Sequence, residues 1–498
     1  MFAQSGADGL VQAAAAELAQ GRIALAGSLL ESALQSDPRH PMALTLKAEA
    51  MLHGKDTASA LTLTGAVLDR EPHFAPAWHR RAAALWLDGR QPEAVDAARR
   101  AMDIQPPNPA FRLRFAQFSA WTGKGADALH ALGPLLAGER HDPLHYAMAI
   151  GALGELAIAE GRFTDACTSL DRALAVQPNL RVTRTMRGMN LLRLGRFREG
   201  WADYAARESE PGLGPGPGTT SPRRGQPLAG KTVLVSDDQG HGDAIQFFRY
   251  LPLLRNRGAT RVVWRTFPPL VRLLVGAAPY ATVLTVLPAA ARFDFHCHSA
   301  SLPRWFGTDL DSIPAPVPLW PASIRPKRRR PDVGLIWSGD PLHTRDHVRS
   351  IPADLFLALA DVPGMCFHSL QHQVRPADLP ALRSRPAIGR AAETAADFAV
   401  TAAAIARLDL VITVDTAVAH LAGAMGKPVW IVLHAVPDWR WLIDRPDSPW
   451  YPSARLFRVS PAEWLGGDGW QPVLGRVAEA LRAWGSDQNH TPQRPAGE

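Results

Sequence analysis

Three clusters in the second half of the chain carry residue types that act on anionic or hydroxylated small molecules. The first is the turn Ser236-Asp237-Asp238-Gln239-Gly240-His241-Gly242-Asp243, between an apolar run at 231–236 and a helical stretch beyond it. Gly240 and Gly242 allow backbone N–H groups to approach a ligand where a helix opens. Asp243 falls in the first turn of that helix, where the dipole favours a carboxylate as a cap. The same carboxylate facing a cleft acts as a general base, removing a proton from an acceptor hydroxyl. Local sequence leaves both roles open.

The second cluster follows the run DVGLIW: Trp337, Ser338, Gly339, Asp340 and Pro341, then His343, Arg345, Arg349 and Ser350. A small-residue turn with two arginines suits phosphate oxygens, although arginines of a surface loop are also simply solvated. The third runs from Val411 to Pro428 and reads VITVDTAVAHLAGAMGKP. There a buried strand delivers Asp415 and Thr416 to the start of a helix whose first residue is Ala417, so Thr416 and the first helical amides form a diphosphate cradle. His420, a turn further in, is either a ligand-facing or a core histidine. Lys427 either reaches a phosphate or sits at a helix end, where the dipole favours a cation. Beyond it, Asp438-Trp439-Arg440-Trp441 and Ser448-Pro449-Trp450-Tyr451-Pro452 concentrate aromatics that stack a base or sugar, or pack between domains. No metal constellation, nucleophile elbow or P-loop stands out in the sequence, so no metal is expected.

Positioning such groups requires a sheet. The runs KTVLVS (231–236), RVVW (261–264), TVLTV (282–286), DVGLIW (332–337), DLVITV (409–414) and PVWIVL (428–433) alternate with helical stretches. Continuous apolar strands alternating with helices imply parallel sheets buried on both faces. The spacing predicts two Rossmann-like lobes, at 230–322 and 330–485. Ligands bind beyond the carboxyl ends of such strands, which puts the site in the interlobe cleft. The Pro-flanked basic stretch 320–332, with Lys327 to Arg330, reads as an interlobe linker more readily than as a nucleic-acid patch. Residues 208–229 read as a flexible linker and 486–498 as a disordered tail.

The first two hundred residues repeat. Prolines at 38, 72, 106, 143 and 178 are spaced 34, 34, 37 and 35 apart, and glycines recur at 21, 54, 89, 123, 161 and 195. Between these marks lie Ala- and Leu-rich stretches, clearest in APAWHRRAAALWLDG followed by RQPEAVDAARRAMDIQP. A glycine closes one helix, Pro92 opens the next and Pro106 ends it. This period resembles the tetratricopeptide repeat and predicts about six helix pairs over 5–207. Such arrays offer a concave face to peptide or protein segments.

Bulk properties agree with a globular, multidomain protein. The chain has 498 residues, 46% hydrophobic and 20% charged, with a net charge of +7 and a pI near 9.6. Cys167, Cys297 and Cys366 form no disulfide framework, which suits a reducing compartment. No positive charge precedes Arg22, and the longest apolar stretch is broken by Asp415, His420, Lys427 and Pro428. A cytoplasmic chain without a signal peptide or membrane anchor is therefore expected.

Together these features resemble bacterial tetratricopeptide-repeat proteins with a C-terminal glycosyltransferase of GT-B type, related to the heptosyltransferase family. The resemblance rests on the GxGD turn with Gln246 and Tyr250-Leu251-Pro252, on VGLIWSGDP…H…R…RSIP, on DLVITVDTAVAHLAGAMGKPVW and on PDWRWL…SPWYP. DTAVAH is similar to the D-T-G-x-x-H motif that lies against the donor diphosphate, with Ala417 in place of glycine. The turn reads SDDQGHGD where relatives read EQGLGD, SGDP stands for AGNP, and His434 for proline. The resemblance implies metal-independent sugar transfer from a nucleotide-sugar donor, with Asp243 as the base. Gly240, Gly242, Trp337, Ser338, Gly339, Arg345, Arg349, Asp415, Thr416, Ala417, His420 and Lys427 would face the donor. It implies a protein or saccharide acceptor met through the repeat groove, and no nucleic-acid partner. The alternatives are a non-catalytic adaptor with a degenerate nucleotide site and a nucleotide-sugar epimerase on the same architecture.

Overall fold

The computed structural model describes residues 2–138, 142–209, 225–288, 291–320, 330–341, 343, 345–391, 395–467 and 469–490. Most of the expected linkers lie outside the described residues: 210–224 of the stretch 208–229, and 321–329 of the stretch 320–332. So does 491–498 of the expected tail. The chain forms two compact units. One comprises residues 1–190, 206–214 and 340–347, and the other 191–205, 215–339 and 348–498.

The first unit is a helical array. Its helices are α1 (Phe2–Ala19), α2 (Ile23–Ser36), α3 (Pro41–His53), α4 (Thr57–Leu68), α5 (Ala75–Leu87), α6 (Gln91–Ile104), α7 (Pro109–Trp121), α8 (Gly125–Leu136), α9 (Pro143–Ala159), α10 (Phe163–Val176) and most of α11 (Arg181–Arg193). Prolines open α3, α7 and α9, where the missing N–H is not needed. Pro143 thus begins a helix, whereas the repeat pattern had it as a terminator. Side-chain caps fix other starts: Asp56 accepts the Ser59 N–H and Asn108 the Ala110 N–H, both at 3.0 Å. Small buried residues, among them Ala82, Ala94, Ala98 and Ala101 with Leu85, let paired helices close on one another.

Five of the six periodic glycines adopt positive φ, as at Gly89 (φ 79°). The sixth does not: Gly54 has φ −84° and the left-handed position falls on Lys55 (φ 60°). The chain closes there with the Asp56 N–H donating to Met51 O at 3.0 Å, the wrapped end that usually takes glycine. A β-carbon in that conformation costs roughly 1–2 kcal/mol, against roughly 0.5–1 kcal/mol of extra chain entropy for glycine. Lys55→Gly is therefore expected to raise stability by about 0.5–1 kcal/mol in urea denaturation, and an unchanged or lower midpoint refutes this.

The second unit holds two parallel sheets. The four-stranded one uses β1 (Thr232–Ser236), β2 (Arg261–Arg265), β3 (Thr282–Leu284) and β4 (Phe295–His298) in the order β3-β2-β1-β4. Its register sets Val233 beside Val262 and Phe295. Around it lie α13 (His241–Phe247), α14 (Leu251–Asn256), α15 (Val271–Ala277) and α16 (Leu302–Phe306). The six-stranded sheet uses β5 (Asp332–Ile336), β6 (Cys366–Ser369), β7 (Gly389–Arg390), β8 (Leu410–Val414), β9 (Val429–Leu433) and β10 (Ala454–Arg458) in the order β10-β9-β8-β5-β6-β7. Its helices are α17 (Asp346–Arg349), shared with the other unit, and α18 (Ala353–Leu357), α19 (Leu379–Arg383), α20 (Phe398–Ala406), α21 (Ala417–Ala424), α22 (Pro461–Leu465) and α23 (Gln471–His490). Strands β5, β8 and β9 are buried throughout, which explains their unbroken apolar sequences.

Two expected boundaries move. The array was expected to close at 207, but Leu191–Ala205, including α12 (Phe197–Tyr204), belongs to the α/β unit. Its aromatic residues account for this: Trp201 donates from Nε1 to Thr308 O at 3.0 Å and packs edge-on against Trp439, while Phe197 stacks on Trp450. The tail was expected from 486, yet α23 continues to His490.

Candidate functional site

In both sheets the strand order reverses beside the first strand of the sheet: between β1 and β4, and between β5 and β8. A parallel sheet opens a crevice at such a point, beyond the carboxyl ends of the strands. The segments emerging there are 237–243 after β1, 337–339 after β5 and 415–417 after β8. These are the stretches singled out from sequence.

They meet across the unit. A β-carbon placed on Gly242 would lie 2.7 Å from His420 Cδ2 and 3.4 Å from Ala417 Cα, so the openings of α13 and α21 touch where only glycine fits. Arg249 ties the two sheets together, donating from Nη1 to Pro314 O and Trp450 O at 3.0 and 3.1 Å.

Of the two roles that local sequence leaves open for Asp243, the structure shows the cap, together with an ion pair. Its Oδ2 accepts the Gly240 N–H at 2.9 Å, capping α13, while Oδ1 pairs with the Arg440 guanidinium. Arg440 also donates from Nη1 to Asp438 Oδ1 and from Nε to Gln246 Oε1, each at 2.7 Å. Its side chain is 9% exposed. Burial raises the Asp243 carboxyl above the ordinary aspartate range, the Arg440 charge opposing it. Burial also pushes Asp415 up, to about 6, with help from the nearby Asp438 charge. Asp438 itself resists its burial because Arg440 holds it down, to about 2. The result is a set of three half-buried carboxylates around the buried Arg440, with Arg349 donating to Asp415 O at 3.3 Å.

The remaining expected residues divide. Gly339 lies flush against Arg349, whose Nη2 would be 2.7 Å from an added β-carbon; its N–H donates to Ser350 Oγ at 3.0 Å, and its carbonyl accepts from Arg375. Ser338 is fixed by Gln371, which accepts its N–H and donates to its carbonyl. Thr416 N-caps α21 by backbone position, its hydroxyl 3.1 Å from that of Thr413. His420 is buried, its Nδ1 2.9 Å from the Tyr451 hydroxyl and its ring stacked on Trp441. Burial and nearby arginines lower its pKa to about 3, so it is neutral.

Three residues expected at the donor are placed elsewhere. Trp337 is fully buried in the core of the six-stranded sheet, its Nε1 donating to Asp378 at 2.8 Å. Lys427 donates to Ala406 O at 3.0 Å and Leu408 O at 2.7 Å, closing the C-terminal end of α20; an ammonium there satisfies helical carbonyls and is not at the opening of α21. Arg345 falls within the helical unit, its guanidinium over the ring of Trp121. The aromatics of 438–452 resolve as packing, since Trp439, Trp441, Trp450 and Tyr451 are all essentially inaccessible. Sequence reasoning missed Arg440, Asp438 and Gln246 as a network. An arginine between two tryptophans, two residues after an aspartate and beyond a parallel strand, was the available signal.

A profile for the tetratricopeptide repeat matches residues 17–85. Protein FlbA of Caulobacter vibrioides is 26% identical over 441 residues, covering 80% of this chain and 72% of that protein. Among solved structures, the thermophilic tetratricopeptide-repeat protein TTC0263 of Thermus thermophilus is 23% identical, covering 37% of this chain and 99% of its own, with a TM-score of 0.33. YrrB, described as a tetratricopeptide-repeat protein with an unusual peptide-binding site, is 13% identical, covering 36% of this chain and 90% of its own, with a TM-score of 0.26. The N-terminal region is thus an array of tetratricopeptide repeats, followed by an α/β region of parallel sheets. Among the described residues, no helix is long and apolar enough to cross a membrane.

Proposed function

We propose that the chain is a glycosyltransferase of GT-B type that moves a sugar from a nucleotide-sugar donor to a hydroxyl of a protein or saccharide acceptor presented by the repeat array. One observation carries this reading: Asp243 and the opening of α21 are brought together at the carboxyl ends of strands from two parallel sheets, with Gly242 against Ala417 and His420. A base and an anion-binding helix opening are the two groups that such a transfer requires.

In the proposed step the acceptor oxygen attacks the anomeric carbon. The bond from that carbon to the diphosphate oxygen breaks, the diphosphate leaves with the electron pair, and the acceptor proton passes to the Asp243 carboxylate. The amides at Thr416 and Ala417, with Arg349, stabilise the charge gathering on the diphosphate, as fixed dipoles and cations do where water is excluded. Arg440 orients Asp243 and keeps it ionised until the proton arrives. The nucleotide sugar is the substrate, and the scheme needs no resident metal or cofactor.

A second reading, a non-catalytic adaptor, draws on the same contact: Asp243 is already occupied by Arg440 and Gly240. A thermal-shift screen of nucleotide sugars separates the two. A ligand at ten times its dissociation constant stabilises by about 1.4 kcal/mol through mass action. The transferase reading expects one nucleotide sugar to raise the melting temperature of the wild type, and Asp415→Ala to lose that response. If no nucleotide or nucleotide sugar has an effect, the transferase reading falls.

A further inference from the structure

The helical unit includes residues 340–347, the segment that follows β5 in the chain. Two of its side chains lie on rings of adjacent repeats. The Arg345 guanidinium is 4.6 Å from the ring centroid of Trp121 on α7, a cation over an aromatic face. His347 meets Trp86 of α5 edge-on, with centroids 4.9 Å apart. Burial and the Arg345 charge lower the pKa of His347 to about 4, so it packs as a neutral ring.

Both rings are held independently of the segment. Trp86 stacks on Phe118 at 4.2 Å, and the Arg114 guanidinium lies 5.4 Å from the Phe118 ring. Trp121 donates from Nε1 to Glu155 Oε1 at 2.8 Å, and the Gln117 amide donates to the same oxygen at 3.1 Å. Rings fixed in this way make a prepared surface, because little side-chain freedom remains to be lost on binding.

We propose that Trp86 and Trp121 form a peptide-reading pair for short segments carrying an arginine and a flat ring two residues apart, and that Arg345 and His347 occupy it in cis. An external partner of that chemistry must displace the internal segment. A tethered competitor acts at an effective concentration near the millimolar range, so it weakens the apparent affinity of a free peptide by roughly tenfold or more. This inference does not rest on the glycosyltransferase reading.

The test uses the whole chain and a fluorescein-labelled peptide with the sequence of residues 340–348, Asp-Pro-Leu-His-Thr-Arg-Asp-His-Val. Fluorescence anisotropy is expected to show R345A/H347A binding this peptide at least tenfold more tightly than the wild type. Adding Trp121→Ala to that variant should remove the binding, and adding Trp121→Tyr, which keeps an aromatic face, should retain most of it. Equal affinity for the wild type and R345A/H347A overturns the proposal. So does binding that survives Trp121→Ala, or an absence of binding to R345A/H347A while its circular dichroism matches the wild type.

Discussion

Arg440→Ala is expected to destabilise the α/β unit by about 1–3 kcal/mol, less than the cost of breaking a fully buried charge pair because its carboxylate partners are half-buried. Arg440 lies between Asp243 and Asp438 and also donates to Gln246. Alanine would leave two half-buried carboxylates without their cation and a buried amide oxygen without its donor. Each must then take up a proton, admit water or move, and every route costs free energy. Urea denaturation followed by tryptophan fluorescence measures the loss, and a change below about 1 kcal/mol means that the network is not buried as described. Pairing Arg440→Met with Asp243→Asn gives a sharper test. Residues joined in one network are not additive, so the double variant should cost clearly less than the sum of its parts.

Asp243→Asn is expected to cut sugar transfer by about 100- to 10,000-fold, the range lost when a positioned general base is removed. An asparagine side chain still caps α13 through its carbonyl oxygen, and Arg440 keeps its pair with Asp438, so the fold and donor binding should be retained at some cost in stability. The comparison is turnover of the wild type and the variant with the nucleotide sugar found by thermal shift, each at saturating donor. Transfer by the variant within a few-fold of wild type rules out Asp243 as the base. Loss of donor binding along with turnover makes it a structural residue. Because burial raises the Asp243 carboxyl, the acid limb of the wild-type pH profile should lie above the range of an ordinary aspartate.

The sequence was most informative where burial is uniform. The runs at 231–236, 332–337, 409–414 and 428–433 all become strands because both faces of each are covered, and covered strands are written in apolar residues. Strand β4, FHCH, escaped notice because half of its residues are histidines. In place it is fully buried, with His296 Nε2 2.9 Å from the Ser236 hydroxyl on the neighbouring strand. Edge strand β10, ARLFR, was hidden in the same way: its arginines look solvated, yet Arg455 lies over the rings of Trp430 and Phe457.

At the candidate site, sequence found the segments better than the side chains. Turns that follow strands are recognisable from glycines and small residues, so 237–243, 337–339 and 415–417 were all legible. Which way a side chain then points depends on contacts distant in sequence. Arg440 reaches Asp243 across 197 residues of chain, and no local pattern encodes that. Lys427 follows α21 directly, but its ammonium is drawn to the carbonyl end of α20, a different helix.

Helix α12 has a consequence for the order in which the molecule is made. Its neighbours in the fold are synthesised much later: Arg193, just before it, donates from Nε to Pro437 O, 244 positions further along the chain. Ribosomes add about 5–20 residues per second, so these partners follow after about 12–50 s. Throughout that interval the nascent chain carries, beyond the helical array, a helix of the unfinished α/β unit whose Phe197, Trp201 and Tyr204 lack their later partners. A holdase-type chaperone would find apolar side chains to bind there until the later partners arrive.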